Sequence, residues 1–323
     1  MTQRLSRDEP GVDPDIVVDP DGRRYELRAA TCPTCGPAAK QTIGIRGGRY
    51  HRYGLGLEST IVRCRRCTLL FPDPFPHPLD VQEMYGDPEK YFALHDDFET
   101  KSQAHRELIR EIKCRTGKAD PAILDVGSGR GTTLRAAMLE GVHTAIGLEL
   151  SRAMIEFAGE HGLSVLHKTA EQFAKEAEPG TFDAVVLSAV LEHVEDPSTL
   201  LAAVARVAAP GAIVMVEVPR EPNLLTCLAS WGNRIRGNRG VVNLSPTFPP
   251  YHVYGFNPTA LSRLLLRHGF TLEQLVVRCS PRVPHDGTLR DRARALAGSV
   301  AIRVGNATGT APNMMGWARR GDG

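Results

Sequence analysis

The 323-residue chain lacks any uninterrupted apolar run long enough to cross a membrane. Its longest apolar stretch, residues 200–218, contains Arg206 and the break Pro210–Gly211. The N-terminal residues are polar and lack the apolar core of a secretory signal. The formal net charge is only +2, so the overall balance requires neither a nucleic acid nor an anionic membrane as a partner. We therefore expect a cytoplasmic protein with no membrane partner.

Cysteine is scarce as well, with seven in the chain, yet four of them stand in two Cys-x-x-Cys pairs, Cys32/Cys35 and Cys64/Cys67. This is the pair spacing of a Cys₄ zinc site. In a reducing compartment, paired cysteines hold a metal more often than they form disulfides. Four thiolates fill the tetrahedral shell of Zn²⁺, which indicates a structural role. The alternative is a set of reduced cysteines without a metal.

The order of apolar and polar stretches divides the chain into three parts. Residues 1–20 are interpreted as a loose leader, 21–96 as a zinc-ribbon module with a proline-rich connector, and 97–323 as one domain. From residue 122 onward, short apolar strands alternate with helices, interrupted by an irregular, basic insert at 219–251. Such alternation predicts a doubly wound α/β fold with a mainly parallel sheet.

Three glycines follow the first strand of that pattern, in "ILDVGSGRG" at residues 123–131. A buried strand, a glycine turn and a helix N terminus together predict a nucleotide-cofactor site at the carboxyl edge of the sheet. Thr132 stands where a dinucleotide loop has its third glycine, and no lysine follows as in a phosphate-binding loop. Asp125 repels a pyrophosphate and suits a cationic ligand, such as one carrying an ammonium and a sulfonium.

At this point the sequence resembles a known family. "LDVGSGRG" is similar to motif I of the class I S-adenosylmethionine-dependent methyltransferases. The similarity continues at Glu149, in "FDAVVLSAVLEHVEDP" at 182–197, in "VAAPGAIVMVEVP" at 207–219 and in "LSRLLLRHGF" at 261–270. Four motifs in order are far more specific than one glycine loop. The resemblance implies a seven-stranded Rossmann-like methyltransferase fold, S-adenosyl-L-methionine as cofactor and methyl transfer as the reaction.

The resemblance also implies which residues hold the cofactor. Glu149 corresponds to the acidic residue that accepts the ribose hydroxyls, and Thr169 stands where the family often has an acidic residue against the adenine. The expected cofactor-binding residues are Asp125, Gly127, Ser128, Gly129, Gly131, Glu149, Leu150, Thr169, Ala170 and Ser188.

The combination of a zinc ribbon, "LLFPDP", "MYGDPEKYF" and a class I domain resembles a bacterial subgroup that modifies sugars, nucleotide-linked sugars and other secondary metabolites. In its sugar C-methyltransferases, a Tyr-x-Glu-His cluster follows the fifth strand. This chain reads Pro249–Pro250–Tyr251–His252 there and keeps only the histidine. The difference favours O-methylation over C-methylation and leaves N-methylation open.

Two histidines are the candidate catalytic residues. A general base contributes about 10²- to 10⁴-fold when a hydroxyl is the nucleophile, and histidine suits that role near neutral pH. His193 in "LEHVED" and His252 in "PYHVYGF" are expected at the sheet-edge loops where this fold keeps its active site. For each, the alternative is a packing and hydrogen-bonding role.

The insert offers Leu228 and Trp231 as cover for an acceptor pocket. Its arginines Arg234, Arg236 and Arg239 either bind an anionic group on the acceptor or form a solvated run.

Two other functions compete with a small-molecule methyltransferase. An RNA methyltransferase with a zinc-ribbon RNA-binding module requires a basic, aromatic-bearing face, and the low aromatic content of 6% argues against it. A non-catalytic binding module with a degenerate fold conflicts with the intact Asp125, glycine loop and Glu149. We therefore expect a small-molecule acceptor, anionic in one reading of the arginines, and no nucleic-acid partner.

Overall fold

The computed structural model describes residues 15–80, 98–280 and 288–321. The chain divides into two compact units. The first unit takes in Met1–Met84, Val218–Arg263 and Leu275–Met315, and the second takes in Tyr85–Glu217, Leu264–Gln274 and Gly316–Gly323. Most of the leader and the connector from residue 81 to 96 lie outside the described residues. None of the described helices is both long and apolar enough to span a bilayer.

The first unit contains two small antiparallel sheets of three strands. One sheet has the order β1-β2-β6, with β1 Ile16–Val18, β2 Arg24–Arg28 and β6 Phe75–Pro78. The other has the order β3-β4-β5, with β3 Lys40–Arg46, β4 Ser59–Cys64 and β5 Leu70–Pro72, and a 3₁₀ turn at Gly48–Tyr50. The strand β1 lies within residues 1–20, which were expected to form a loose leader. Its residue Val17 is buried and packs with Tyr25 and Leu57, so this part of the expected leader belongs to the fold.

The larger sheet has seven strands in the order β12-β13-β11-β10-β7-β8-β9. The four neighbouring pairs from β11 to β9 are parallel. All four residues of β7 are buried, as expected for a central strand covered on both faces. The strands are β7 Ile123–Val126, β8 Ala145–Glu149, β9 Val165–His167, β10 Phe182–Ser188, β11 Ala208–Pro219, β12 Phe270–Val277 and β13 Asn313–Arg320.

Helices alternate with these strands, so the predicted doubly wound, mainly parallel α/β fold is confirmed. Phe98 of the first helix packs with Leu134 of the second and Ala158 of the third. The described helices are α1 Phe98–Thr116, α2 Thr132–Leu139, α3 Arg152–Glu160, α4 Ala170–Glu176, α5 Pro197–Val207, α6 Leu224–Ile235, α7 Pro258–Arg267 and α8 Leu289–Thr308.

The insert at 219–251 differs from the irregular segment that the sequence predicts, because it contains α6. A reciprocal capping box starts this helix: Thr226 N–H donates to Asn223 Oδ1, and Asn223 N–H donates to Thr226 Oγ1, each at 3.0 Å. Further along the insert, Val241 and Leu244 pack against Ile61 and Leu70 of the cysteine-bearing sheet. The insert is therefore built into the core of the first unit.

Candidate active site and metal centre

The glycine loop follows β7 and bends through three left-handed residues, Gly127 (φ 70°), Gly129 (φ 55°) and Gly131 (φ 81°). A Cβ on Gly127 would lie 2.8 Å from Val190 Cγ2, and one on Gly131 would lie 2.7 Å from Leu163 Cδ1, so this crowding and the positive φ both favour glycine at the two positions. A Cβ on Gly129 meets no atom within 4 Å among the described residues. The loop therefore leaves open space at its middle glycine, where a ligand can approach the backbone.

Asp125 lies buried in β7 two residues before this loop. Burial raises the pKa of its carboxyl group to about 7, and the nearby charge of Glu149 adds to the rise, while a hydrogen bond with Thr133 opposes it. A buried carboxylate is costly unless a positive charge lies beside it. The site is therefore suited to a cationic ligand rather than to a phosphate.

Glu149 ends β8 and accepts three backbone N–H bonds. Gly129 N donates to Oε2 at 2.9 Å, and Leu150 N and Ser151 N donate to Oε1 at 2.7 and 2.9 Å. These bonds fix the carboxylate against the glycine loop. A carboxylate has about four acceptor positions, so Glu149 retains capacity for a hydroxyl donor.

Two of the other expected cofactor residues, Thr169 and Ser188, have side-chain hydrogen-bond partners within the second unit. Thr169 caps α4, since its hydroxyl accepts from Gln172 N at 3.2 Å, with Ala170 buried behind it. Ser188 Oγ donates to Glu217 Oε2 at 3.0 Å. The side chain of Ser128 packs over Gly147, where a Cβ would lie 2.5 Å from its Oγ. Thr169 therefore has a structural role as a helix cap, which is different from the expected contact with adenine.

These observations fit S-adenosylmethionine. The open position at Gly129 provides room for the ligand, and the buried carboxyl group of Asp125 favours a positively charged one. Glu149 offers an acceptor for ribose hydroxyls beside the loop.

His193 belongs to the second unit and lies next to a carboxyl group that was not among the expected site residues. Its Nε2 is 3.7 Å from Oε1 of the almost fully buried Glu192. Burial raises the pKa of Glu192 to about 8, and the charge of Glu217 adds to the rise. The signal in the sequence was the adjacent Glu-His of "LEHVED", which gives no indication of how deeply the carboxyl group is buried.

His252 belongs to the first unit. Burial lowers the pKa of its imidazole to about 4, so the ring is neutral at physiological pH. Two bonds with Ser245 hold its backbone: His252 N donates to Ser245 Oγ at 3.1 Å, and Ser245 N donates to His252 O at 3.0 Å. The preceding Tyr251 is buried in a left-handed conformation (φ 61°). The backbone of His252 is therefore firmly fixed within its unit.

The four paired cysteines converge in the first unit. Their Sγ atoms all lie within 4.8 Å of one another, and Cys32 Sγ is 3.5 Å from Cys67 Sγ. Four sulfurs bound tetrahedrally at ~2.3 Å from Zn²⁺ lie about 3.8 Å apart, which matches this spacing. None of the described cysteines forms a disulfide. Burial raises the pKa of Cys35 to about 11, so this crowded thiol set ionises readily only beside a cation.

Both cysteine pairs have the same local turn. Gly36 N donates to Cys32 O at 2.8 Å, and Thr68 N donates to Cys64 O at 2.9 Å. Gly36 and Thr68, each following the second cysteine of its pair, are left-handed with φ of 67° and 62°. Arg66 N also donates to Cys64 Sγ at 3.4 Å. Paired turns of this kind direct four sulfurs to one point, and the donor set fits Zn²⁺.

Comparisons with known proteins identify relatives of the chain. A ubiquinone biosynthesis O-methyltransferase of Methylococcus capsulatus is 38% identical over 109 residues, which are 32% of this chain and 45% of the relative. The chain thus spans less than half of that relative. Another, from Thiobacillus denitrificans, is 29% identical over 192 residues, covering 58% of this chain and 80% of the relative.

The crystal structure of a SAM-dependent methyltransferase from Archaeoglobus fulgidus shares the fold, with a TM-score of 0.51 at 17% identity over 75% of this chain and 100% of that one. The profile of the "Methyltransferase domain" family matches residues 100–275, which is more than half of the 323 residues. The chain therefore belongs to this family, and it is a class I S-adenosylmethionine-dependent methyltransferase.

Proposed function

We propose that the protein transfers the methyl group of S-adenosylmethionine to a hydroxyl oxygen of a small-molecule acceptor. The observation that carries the proposal is the open glycine loop beside a buried carboxylate, Gly129 and Asp125. The oxygen as methyl acceptor is supported by the relatives, which are named O-methyltransferases. Sugars, nucleotide-linked sugars and secondary metabolites are the proposed acceptor classes.

When bound, S-adenosylmethionine supplies an electrophilic methyl group on a sulfonium. Since this methyl group is already activated, the protein mainly aligns the reactants and excludes water. Asp125 balances the positive charge with its carboxylate, and Glu149 orients the ribose through its remaining acceptor capacity. The left-handed glycines keep the backbone close to the ligand without side chains in between.

The acceptor hydroxyl must lose its proton to a base when its oxygen is methylated, and His252 is the proposed base. Its lowered pKa, about 4, keeps the imidazole in the proton-accepting form throughout the physiological range. The same shift makes His252 a weak base, so its contribution is greatest for an acidic hydroxyl such as a phenol. His193 beside Glu192 is the second candidate for this role.

A structural Zn²⁺ held by Cys32, Cys35, Cys64 and Cys67 completes the proposal. Metal binding supplies free energy of folding to small segments of this kind.

The test uses the full chain with S-adenosylmethionine labelled by deuterium on the methyl group. Candidate acceptors are nucleotide sugars and phenolic or aliphatic hydroxyl metabolites, and mass spectrometry locates the label. A deuterated methyl group on an oxygen atom of a small molecule supports the proposal. A deuterated methyl group found only on nitrogen, on carbon or on added RNA overturns it. Absence of calorimetric binding of S-adenosylmethionine would indicate a non-catalytic module.

The role of His252 is tested with the acceptor so identified. We expect His252→Gln to lower kcat by about 10²- to 10⁴-fold with unchanged affinity for S-adenosylmethionine. His193→Gln is the matched variant, and a loss confined to it transfers the role of base to His193.

A further inference from the structure

Helix α6 exposes a stripe of apolar side chains while some of its polar side chains bond inward. Its polar side chains are bonded into the first unit: Thr226 Oγ1 donates to Glu221 Oε2 at 3.0 Å, and Asn233 Nδ2 donates to Gly240 O at 3.0 Å. Three of its large apolar side chains lie outside, with Leu228 52%, Trp231 64% and Ile235 65% exposed, whereas Leu224 and Leu225 are part-buried. The spacing of these three residues, i, i+3 and i+7, places them on one face of the helix.

Helix α8 repeats the same arrangement in the same unit. Leu296, Val300 and Val304, spaced at i, i+4 and i+8, are each about half exposed or more, whereas Ala295 and Ile302 are buried. The two helices pack against each other, and Leu224 N donates to Thr310 O at 3.1 Å where α6 begins and α8 has ended. Two neighbouring helices thus expose apolar stripes, which single surface residues of a monomer do not explain.

Arginines accompany both stripes. Arg234, Arg236 and Arg239 follow Trp231, Arg303 lies beside Val304, and all four are exposed. No described carboxylate lies within 4.0 Å of these four guanidinium groups. The sequence contains no aspartate or glutamate from residue 222 to 272 or from 292 to 321. The exposed side chains from Leu228 to Arg239 and from Leu296 to Val304 are therefore mostly apolar or basic, without an acidic residue among them.

Charge decides which partner suits this surface. A second copy, joined through a two-fold axis, would bring the same arginines against each other without an acidic group between them. An anionic bilayer surface offers phosphates to the arginines and an interfacial layer for tryptophan and aliphatic side chains. We propose that the exposed faces of α6 and α8 dock the protein on anionic lipid bilayers as a peripheral, non-spanning contact.

The net charge of +2 does not reveal this surface, because acidic residues elsewhere in the chain offset its arginines. The sequence expectation of no membrane partner used only that total and the apolar run lengths. The docking proposal is independent of the acceptor and of methyl transfer, so each can fail without the other.

Trp231 provides a direct probe on the full chain. The chain has two tryptophans, and the other, Trp317, is only 3% exposed. We expect vesicles containing phosphatidylglycerol to shift Trp231 emission to the blue and brominated phospholipid to quench it. Vesicles of phosphatidylcholine alone should bind weakly, and added salt should release the protein from anionic vesicles.

Matched variants separate the apolar and basic contributions in vesicle co-sedimentation. Leu228→Asn should lower the partition coefficient about tenfold, and Leu266→Asn, at a leucine of α7 that is 64% exposed, should leave it unchanged. Arg234→Gln with Arg236→Gln should lower it roughly thirtyfold. Arg24→Gln with Lys175→Gln removes the same charge from exposed sites elsewhere and should have little effect.

Three outcomes overturn the proposal. They are equal partitioning of both arginine double variants, no shift of Trp231 emission on anionic vesicles, and a wild-type dimer that Leu228→Asn converts to a monomer in sedimentation velocity. The last result would assign the surface to a second copy.

Discussion

Two segments that follow strands of the large sheet differ in how they use their side chains. After β7, the glycine loop removes side chains and keeps a buried carboxylate, Asp125, behind an open backbone. After β11, the insert bonds its polar side chains inward and exposes Leu228 and Trp231. The first segment is specialised for one small cation. The second is an exposed surface, for which we propose an anionic bilayer as the partner.

The largest expected effect comes from removing the metal centre, which should destabilise the insert and leave the glycine loop folded. The insert packs through Val241 and Leu244 on the cysteine-bearing sheet, whereas the glycine loop belongs to the other unit. We therefore expect Cys64→Ser to abolish bound zinc and to open Arg234 and Arg236 to trypsin, because structural zinc supplies folding free energy. Binding of S-adenosylmethionine should persist.

Atomic absorption, limited proteolysis and calorimetry measure these three properties. Cys114→Ser changes an exposed cysteine outside the cluster and should keep one zinc per chain. Wild-type protein without stoichiometric zinc would contradict the metal assignment. A Cys64→Ser protein that resists trypsin like the wild type would show that the insert does not depend on the metal.

The sequence predicted the segment after β7 much better than the segment after β11. From Ile123 to Val207, strands and helices alternate as the sequence predicts, because buried apolar runs and glycines leave few alternatives. Helix α6 was missed, since its apolar residues contact solvent and its capping pair, Asn223 and Thr226, is not the usual Ser/Thr with Glu/Gln.

At the candidate site, the same distinction holds. The sequence predicted the roles of the glycines and the paired cysteines, because each role requires one residue type at a fixed spacing. The hydroxyl of Thr169 was assigned to adenine although "TAEQ" is itself a capping-box sequence, and the structure uses it as one. The burial of Glu192 and the pKa of His252 depend on residues distant in sequence, so no local pattern predicted them.

The second prediction concerns the charge that the glycine loop is built to receive. Asp125 has a pKa raised to about 7, so its carboxyl group is partly protonated near neutral pH. A cationic ligand favours the carboxylate and displaces the proton, so affinity for S-adenosylmethionine should rise about tenfold from pH 6 to 8. Asp125→Asn should remove this dependence and weaken binding roughly 10- to 100-fold.

Folding stability should depend on pH with the opposite sign. Because the folded-state pKa of Asp125 exceeds the ordinary carboxyl value, the ligand-free protein should lose stability as pH rises from about 4 to about 7. Asp125→Asn should flatten this loss. Calorimetry and chemical denaturation across the pH range check both signs, with Glu178→Gln as an exposed control. A wild-type affinity that is flat with pH would refute the role assigned to Asp125.

The smallest expected effect on stability comes from a test of whether the ligand uses the open space at Gly129. The test compares Gly129 with Gly141, a glycine that has the same backbone requirement. Gly129 and Gly141 both have positive φ, 55° and 72°, and a Cβ on either meets no described atom within 4 Å. Each change to alanine should therefore cost a similar ~1 kcal/mol in the free energy of unfolding, from backbone strain alone. Only Gly129→Ala places a methyl group where the ligand approaches, so only it should weaken S-adenosylmethionine binding, by about tenfold. Equal affinities of the two variants would show that the open space beside Asp125 is ordinary surface, and the contrast between the two segments would then lose its basis.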